Sequence, residues 1–346
     1  MISTNSSRSQ RYSRQTLFSG IGQEGQDLLF RSRALIVGCG ALGSAQAEAL
    51  ARAGVGTLRV VDRDFVEFSN LQRQTMFTER DANERLPKTI ACASHVREIN
   101  SEIVVEPRIL DANHSNIESL IEDCDVILDG TDNFATRYLI NDACVKHRVN
   151  WVYGAAVASY GVTMTIRPGE TPCLRCVFPE PPSAGSSPTC DTAGVIMPII
   201  SVVAAVQVSE ALKLLIGKLD DLHKSLMQFD VWRNEWRRIS LSARDPDCRT
   251  CARREFETLE AEGSEFAAVL CGRHAVQISP AKLTRVDLSA LRRRLEPAGE
   301  VKENDYLVRF RTGEYELTVF QDARSIIRGT DDVAVARSLY TKYVGN

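Results

Sequence analysis

The sequence predicts an α/β protein: a doubly wound, mostly parallel sheet with an antiparallel extension, followed by a small α+β domain. Three observations carry that expectation. From Arg33 to about Trp151, short β-rich runs alternate with stretches of helical spacing, the pattern of a parallel sheet covered on both faces. A glycine-rich run, Gly38-Cys39-Gly40-Ala41-Leu42-Gly43, joins the first of those strands to the first of those helices. Past Trp151 the alternation gives way to adjacent strand-like runs, and two C-x-x-C pairs follow, at Cys173/Cys176 and Cys248/Cys251. With 346 residues there is room for one large core and one smaller one.

Apolar runs place strands at Ala34–Val37, Thr57–Val61, Ile103–Val105 and Val126–Leu128. Helical spacing occupies Ser44–Arg52, Lys88–Ile99, Ser115–Ile121 and Phe134–Lys146. Two further strands, Trp151–Ala156 and Gly161–Ile166, follow without an intervening helix, which predicts an antiparallel pair. Phe178–Thr189 is rich in Pro, Ser and Gly and reads as a loop. Next come a long helix, Pro198–Ile216, and strands at Ser225–Phe229 and Trp236–Leu241. The expected domains are an arm over 1–30, a main domain over 31–254, a charged linker helix over 255–265 and a small domain over 266–346. The last reads β-α-β-β-β-α, with Leu307, Val308, Phe310, Tyr315, Leu317 and Val319 as its sheet core.

Composition excludes several function classes. Hydrophobic residues make up 44% and charged residues 25%, the balance of an ordinary globular chain. A formal charge of -3 gives no electrostatic reason to expect nucleic acid or an anionic membrane as a partner. The polar start Met1–Gln10 has no apolar signal core. The most apolar stretch, Val195–Ile216, is interrupted by Gln207, Ser209, Glu210 and Lys213, so it reads as a buried helix. A cytoplasmic location is expected.

The glycine run has the context of a Rossmann-like nucleotide loop. Gly38, Gly40 and Gly43 let the backbone approach phosphate, and the helix opening at Ala41 offers free N–H groups. Asp62 ends the next strand, where an acidic residue commonly holds a ribose hydroxyl. This much suits a nicotinamide enzyme as well as an ATP enzyme. The following segment separates them: Asp62-Arg63-Asp64-Phe65-Val66-Glu67-Phe68-Ser69-Asn70-Leu71-Gln72-Arg73-Gln74. It closely resembles the signature of ubiquitin-activating-type adenylating enzymes. Leu86-Pro87-Lys88 and Thr131-Asp132-Asn133 match that family's phosphate lysine and magnesium motif. Arg11-Tyr12-Ser13-Arg14-Gln15 resembles the N-terminal arm of its bacterial MoeB/ThiF members. Singly, Arg14 would read as a solvated arm residue, Asn70 as a turn residue and Lys88 as a surface lysine. Their joint order and spacing is what assigns them to a site.

The resemblance, which runs from about Arg11 to Cys251, implies ATP-dependent adenylation of the C-terminal glycine of a small ubiquitin-fold sulfur carrier. It assigns Gly38, Gly40, Ala41, Gly43, Asp62, Asp64, Ser69, Asn70 and Asn133 to nucleotide binding. Arg73 and Lys88 become phosphate-holding cations and Asp132 the Mg²⁺ ligand. Arg14 would reach a neighbouring subunit's γ-phosphate, implying a homodimer. Cys190, in Thr189-Cys190-Asp191-Thr192-Ala193-Gly194, is the candidate nucleophile, and it precedes a helix where a thiolate would be favoured.

Cys173-Leu174-Arg175-Cys176 and Cys248-Arg249-Thr250-Cys251 form two knuckles whose four thiolates suit closed, structural Zn²⁺. Such a site would tie the antiparallel extension shut. Cys92, Cys124 and Cys144 read as core, and Cys39 as the small residue that the glycine loop requires. Cys271 has a passing likeness to a rhodanese loop but lacks a rhodanese-length domain, so the sulfur donor is expected to be a separate protein. Three alternatives stay open here: a peptide or tRNA-bound carboxylate as substrate, a nicotinamide-dependent oxidoreductase, and a silent partner subunit.

Overall fold

Strand β1 (Arg33–Val37) is buried on both faces, as a run of Ala, Leu, Ile and Val in a central parallel strand requires. In the computed structural model, which describes residues 10–182, 189–241, 243–260, 266–270, 274–280 and 285–345, the chain divides into two compact units, Met1–Ala261 and Glu262–Asn346.

The first unit carries an eight-stranded sheet. Beside β1 lie β2 (Thr57–Asp62), β3 (Val104–Ile109), β4 (Val126–Asp129), β5 (Asn150–Val157), β6 (Tyr160–Ile166), β7 (Ser225–Asp230) and β8 (Glu235–Ser240). Their order is β3-β2-β1-β4-β5-β6-β7-β8. The first five pair in parallel, and the last three add antiparallel strands. The crevice where the order reverses, between β1 and β4, is where doubly wound sheets bind ligands.

Five helices of eight residues or more cover this sheet: α1 (Gly22–Arg31), α2 (Ala41–Ala53), α3 (Lys88–Ile99), α4 (Phe134–His147) and α5 (Met197–Leu215). Ala34, Ile36, Leu58 and Val60 face one apolar layer, with Leu29, Leu50, Val96 and Leu214. Leu35, Val37, Val61 and Ile127 face the other, with Tyr138, Ile140, Cys144 and Trp151. Helix α5 is long and apolar enough to cross a membrane, yet half of it is buried, and it packs on α2, β5 and β6. Its polar Gln207 and Glu210 are fully buried and hydrogen-bonded within the core.

Two expectations need correction. Strand β3 starts at Val104 and runs to Ile109, past Glu106, Pro107 and Arg108. An edge strand tolerates proline, and Glu106 is held there by Arg33 at 2.7 Å and Arg59 at 2.9 Å. Residues 255–260 are irregular, with a turn over 257–259, rather than the start of a charged linker helix, and 261–265 of that expected helix lie outside the described residues. Phe256 is buried and Leu259 packs on the same core, while the Thr258 hydroxyl donates to Asp142 at 2.7 Å. Anchoring three residues in the core outweighs the helix propensity of the glutamates around them.

The second unit is a six-stranded antiparallel sheet in the order β11-β12-β13-β14-β10-β9. Its strands are β9 (Phe266–Leu270), β10 (Ala275–Ser279), β11 (Glu300–Glu303), β12 (Leu307–Thr312), β13 (Tyr315–Phe320) and β14 (Ser325–Arg328). β9 and β11 add to the four expected strands. β11 holds one apolar residue, Val301, among three charged ones, so its period-2 signal is too weak to read. Helices α6 (Leu288–Leu295) and α7 (Val333–Tyr343) are capped by Asp287 and Asp332. Leu291, Leu295, Ala336 and Tyr340 meet Val308, Phe310, Leu317 and Val319 in one core. Tyr315 packs at its margin.

Candidate functional site

The glycine loop crosses the carboxyl end of β1 and touches the corresponding end of β4. Gly38 has φ +89°, and a Cβ there would lie 2.6 Å from the Gly130 carbonyl oxygen. A Cβ on Gly43 would lie 1.8 Å from the Gly38 oxygen. Only glycine permits that approach of the loop to the first turn of α2. Gly40 is the N-cap of α2 and supplies no side-chain acceptor to the N–H groups of the first turn, which opens at Ala41. Those groups point donors and the positive helix end at the crevice.

Asp62, at the end of β2, binds the loop to its neighbour. One carboxylate oxygen accepts the Cys39 N–H at 2.6 Å and the other the Asp64 N–H at 2.7 Å. Burial raises the Asp62 pKa, opposed by the nearby Lys88 ammonium. Lys88 opens α3 behind Pro87, is 4% exposed, and sits 3.4 Å from the Asp64 carboxylate. It is thus no surface lysine. Its ammonium stands buried between two acids at the edge of the loop.

The Phe68–Asn70 turn brings up the next group. Asn70 is buried, and its side-chain oxygen accepts the Glu67 N–H at 3.0 Å. Ser69 is exposed. Arg73 donates to the Ser69 carbonyl at 2.9 Å, which fixes the guanidinium beside the same turn.

Across the crevice, the β4–α4 turn presents Thr131, Asp132 and Asn133. Asp129 is fully buried, and its carboxylate accepts the Thr131 N–H at 2.9 Å and the Thr131 hydroxyl at 2.7 Å. Arg137 closes the turn, 3.3 Å from Asp129 and donating to the Thr131 carbonyl at 2.8 Å. Burial raises the Asp129 pKa against the pull of Arg137. From behind, the buried Gln46 and Gln207 amides both donate to the Asp129 carbonyl at 2.9 Å. This frame ends in Asp132, which is exposed and has no hydrogen bond or close ion pair among the described residues. The Arg63 and Arg137 guanidinium groups feel its charge. Asn133 spends its side-chain oxygen on capping α4, accepting the Thr136 N–H at 2.8 Å.

Arg14 lies elsewhere. It is exposed on the short Ser13–Thr16 helix, which Tyr12 and Gln15 anchor near Ala53, at the far end of α2. Thirteen residues of α2 separate that end from the glycine loop, roughly 20 Å at the helical rise. Cys190 opens the short Cys190–Ala193 helix behind the N-cap Thr189, and its Sγ lies 3.4 Å from the Ala156 carbonyl. Residues 183–188 of the preceding loop, and Cys271, lie outside the described residues.

The four knuckle cysteines meet. Sγ separations are 3.8 Å for Cys173–Cys176, 3.6 Å for Cys173–Cys248 and 3.4 Å for Cys176–Cys251, and all four sulfurs lie within 4.8 Å of one another. A tetrahedron with Zn–S near 2.3 Å has sulfurs about 3.8 Å apart, so the quartet fits zinc. Cys92, Cys124 and Cys144 are buried, as expected for core thiols, and Cys39 is buried within the glycine loop.

The sequence reading missed Asp129, Arg137, Gln46 and Gln207, which shape the turn without being exposed at it. The available signal was polar residues inside apolar elements, which must find partners when buried. Burial itself is not visible in the sequence.

Comparison with known proteins places this arrangement. The ThiF family model matches residues 12–250. The sulfur carrier protein ThiS adenylyltransferase of Bacillus subtilis is 45% identical over 337 residues, covering 97% of this chain and 99% of its own. The SAMP-activating enzyme E1 of Haloferax volcanii is 37% identical over 259 residues, covering 75% of this chain and 94% of its own. The crystal structure of E. coli MccB with ATP superposes with a TM-score of 0.61 at 25% identity, over 70% of this chain and 73% of that one. The chain belongs to the ThiF family.

Proposed function

We propose that this chain is an ATP-dependent adenylyltransferase that activates the C-terminal glycine of a ubiquitin-fold sulfur carrier, releasing pyrophosphate. The observation that carries the reading is the end-to-end likeness to a ThiS adenylyltransferase, with the site's cations and free carboxylate placed at one crevice. That likeness favours a thiamine-type carrier, with the molybdopterin type next.

ATP lies along the Gly38–Gly43 loop, its phosphates toward the open helix start at Ala41. Lys88 and Arg73 neutralise phosphate charge, Arg73 with a planar fork suited to two oxygens. Asp62 and Asp64 hold the loop and Lys88 in place, and Ser69 and Asn70 line the nucleotide. Asp132 is the Mg²⁺ ligand: an exposed carboxylate with no side-chain hydrogen bond among the described residues is what a hard cation takes. The ion, held there by Asp132, would supply neutralising charge to the pyrophosphate leaving group. The carrier's tail enters the same crevice, and its carboxylate attacks the α-phosphorus. A carboxylate is already ionised, so no general base is needed; positioning and charge neutralisation supply the rate.

Arg14 stands too far along α2 to serve its own loop, which supports its acting on a partner's site in a homodimer. The quartet holds structural Zn²⁺, and sulfur comes from a separate donor protein in the cytoplasm. The test is pyrophosphate release from ATP with a panel of Gly-Gly-ended carriers and their tail-truncated forms. Release with one intact carrier alone establishes the activity and its pathway. ATP binding without release for any carrier moves the substrate to a peptide or tRNA-bound carboxylate.

A further inference from the structure

Both cysteine knuckles are fastened to one helix by two adjacent side chains. Asn141 of α4 accepts the Leu174 N–H, inside the first knuckle, at 2.8 Å. Asp142, wholly buried, accepts the Thr250 hydroxyl, inside the second knuckle, at 2.9 Å. Its other oxygen accepts the Thr258 hydroxyl at 2.7 Å and the Thr258 N–H at 3.2 Å. The buried guanidinium of Arg175, from the first knuckle, lies 3.9 Å away and stacks over Tyr138 at 4.8 Å.

A buried carboxylate is costly unless its lone pairs and charge are met. All the partners of Asp142 come from the cysteine-bearing segments or the turn that follows them. Cys173 and Cys248 are 75 residues apart in the chain, so nothing local sets the distance between the knuckles. The adjacent Asn141 and Asp142 side chains do so, each holding one knuckle against the same helical turn, with the Asp142 charge also facing Arg175 of the first knuckle at 3.9 Å.

We propose that Asp142 is the positioning residue of the quartet: it pre-assembles the two knuckles and thereby sets their affinity for zinc without touching the metal. This rests on the zinc reading of the four cysteines. Without the carboxylate the knuckles must be ordered at the expense of metal-binding energy, and affinity falls with all four ligands intact.

The test uses the full chain with zinc, in equilibrium competition with a chromophoric chelator. Asp142→Asn should weaken zinc binding about 10–100-fold, and Thr250→Val, which removes one hydroxyl, about 10-fold. The cobalt-loaded variants should keep the visible spectrum of a tetrathiolate site, showing that no ligand has changed. Ile140→Val, equally buried on the same helix but with no side-chain hydrogen bond to either knuckle, should leave affinity unaltered. If Asp142→Asn does not fold, Thr250→Val decides. Affinities within about twofold of the parent for the folded variants overturn the proposal. So does an equal loss in Ile140→Val, which would reduce the effect to general destabilisation. A parent chain that takes up no zinc overturns both this and the zinc reading.

Discussion

Two aspartates frame the work of helix α4, one just before its start and one in its third turn, and they do opposite work. Asp132, just before the helix, is exposed, without a hydrogen bond among the described residues, and framed by the buried Asp129–Arg137 pair. Asp142, in the third turn, is wholly buried and accepts three hydrogen bonds. A carboxylate held rigid yet unpartnered is prepared for a ligand that comes and goes; a saturated one is committed to the fold. The contrast is energetic. The rest of the turn bears the cost of keeping Asp132 in place, so its charge remains available to a cation.

Breaking the exposed side should give the largest catalytic effect. Asp132→Ala should lower carrier-dependent pyrophosphate release by about 10²–10³-fold, with the thermal midpoint unchanged because nothing in the fold leans on that side chain. A fully active, folded variant would falsify its role. On the buried side the signs reverse: Cys248→Ser should release zinc and cost stability on the order of several kcal/mol. ATP binding by whatever fraction stays folded should survive. Thermal melts with and without added zinc distinguish the two outcomes.

The next test asks whether the site is complete within one chain. Arg14→Ala and Asp132→Ala should each be nearly inactive alone. On mixing and reassociation, half of the dimers are mixed and one of their two sites is whole, so activity should return to about a quarter of the parent's. No recovery after verified exchange of subunits would place Arg14 outside the partner's site.

The same contrast explains what the sequence disclosed. Residues that meet ligands belong to motifs whose order is readable: Gly38–Gly43, Asp62–Gln74, Lys88 and Asp132. The glycine and strand patterns also located β1, β2 and β4 to within a residue, because a doubly buried parallel strand is an unbroken apolar run. What stayed hidden depends on tertiary contact. Asp142 and Asn141 look like ordinary polar positions of a helix until α4 is seen to be buried around most of its circumference. The irregular segment 255–260 replaced the start of a helix because Phe256 and Thr258 find partners far away in sequence. The edge strand β11 was lost for want of apolar alternation. Lys88 was assigned to phosphate by its motif, but its burial against Asp64 could only be seen in space.

Cys190 offers the smallest expected effect. Its sulfur lies beside the Ala156 carbonyl at the end of β5, on the antiparallel side of the crevice rather than among the phosphate-binding groups of β1, β2 and β4. The chemistry of adenylation ends when pyrophosphate leaves, and it needs no thiol, because the attacking oxygen belongs to the carrier. Cys190→Ala should therefore release pyrophosphate within about twofold of the parent rate. A thiol at this position matters only afterwards, as a nucleophile toward the acyl-adenylate or as a carrier of persulfide sulfur. Following the fate of the adenylated carrier in the same variant separates the steps. Unchanged adenylation with stalled sulfur transfer would give Cys190 the second step alone. A large drop in pyrophosphate release would move it into the first, and with it the boundary between the nucleotide and carrier sides of the crevice.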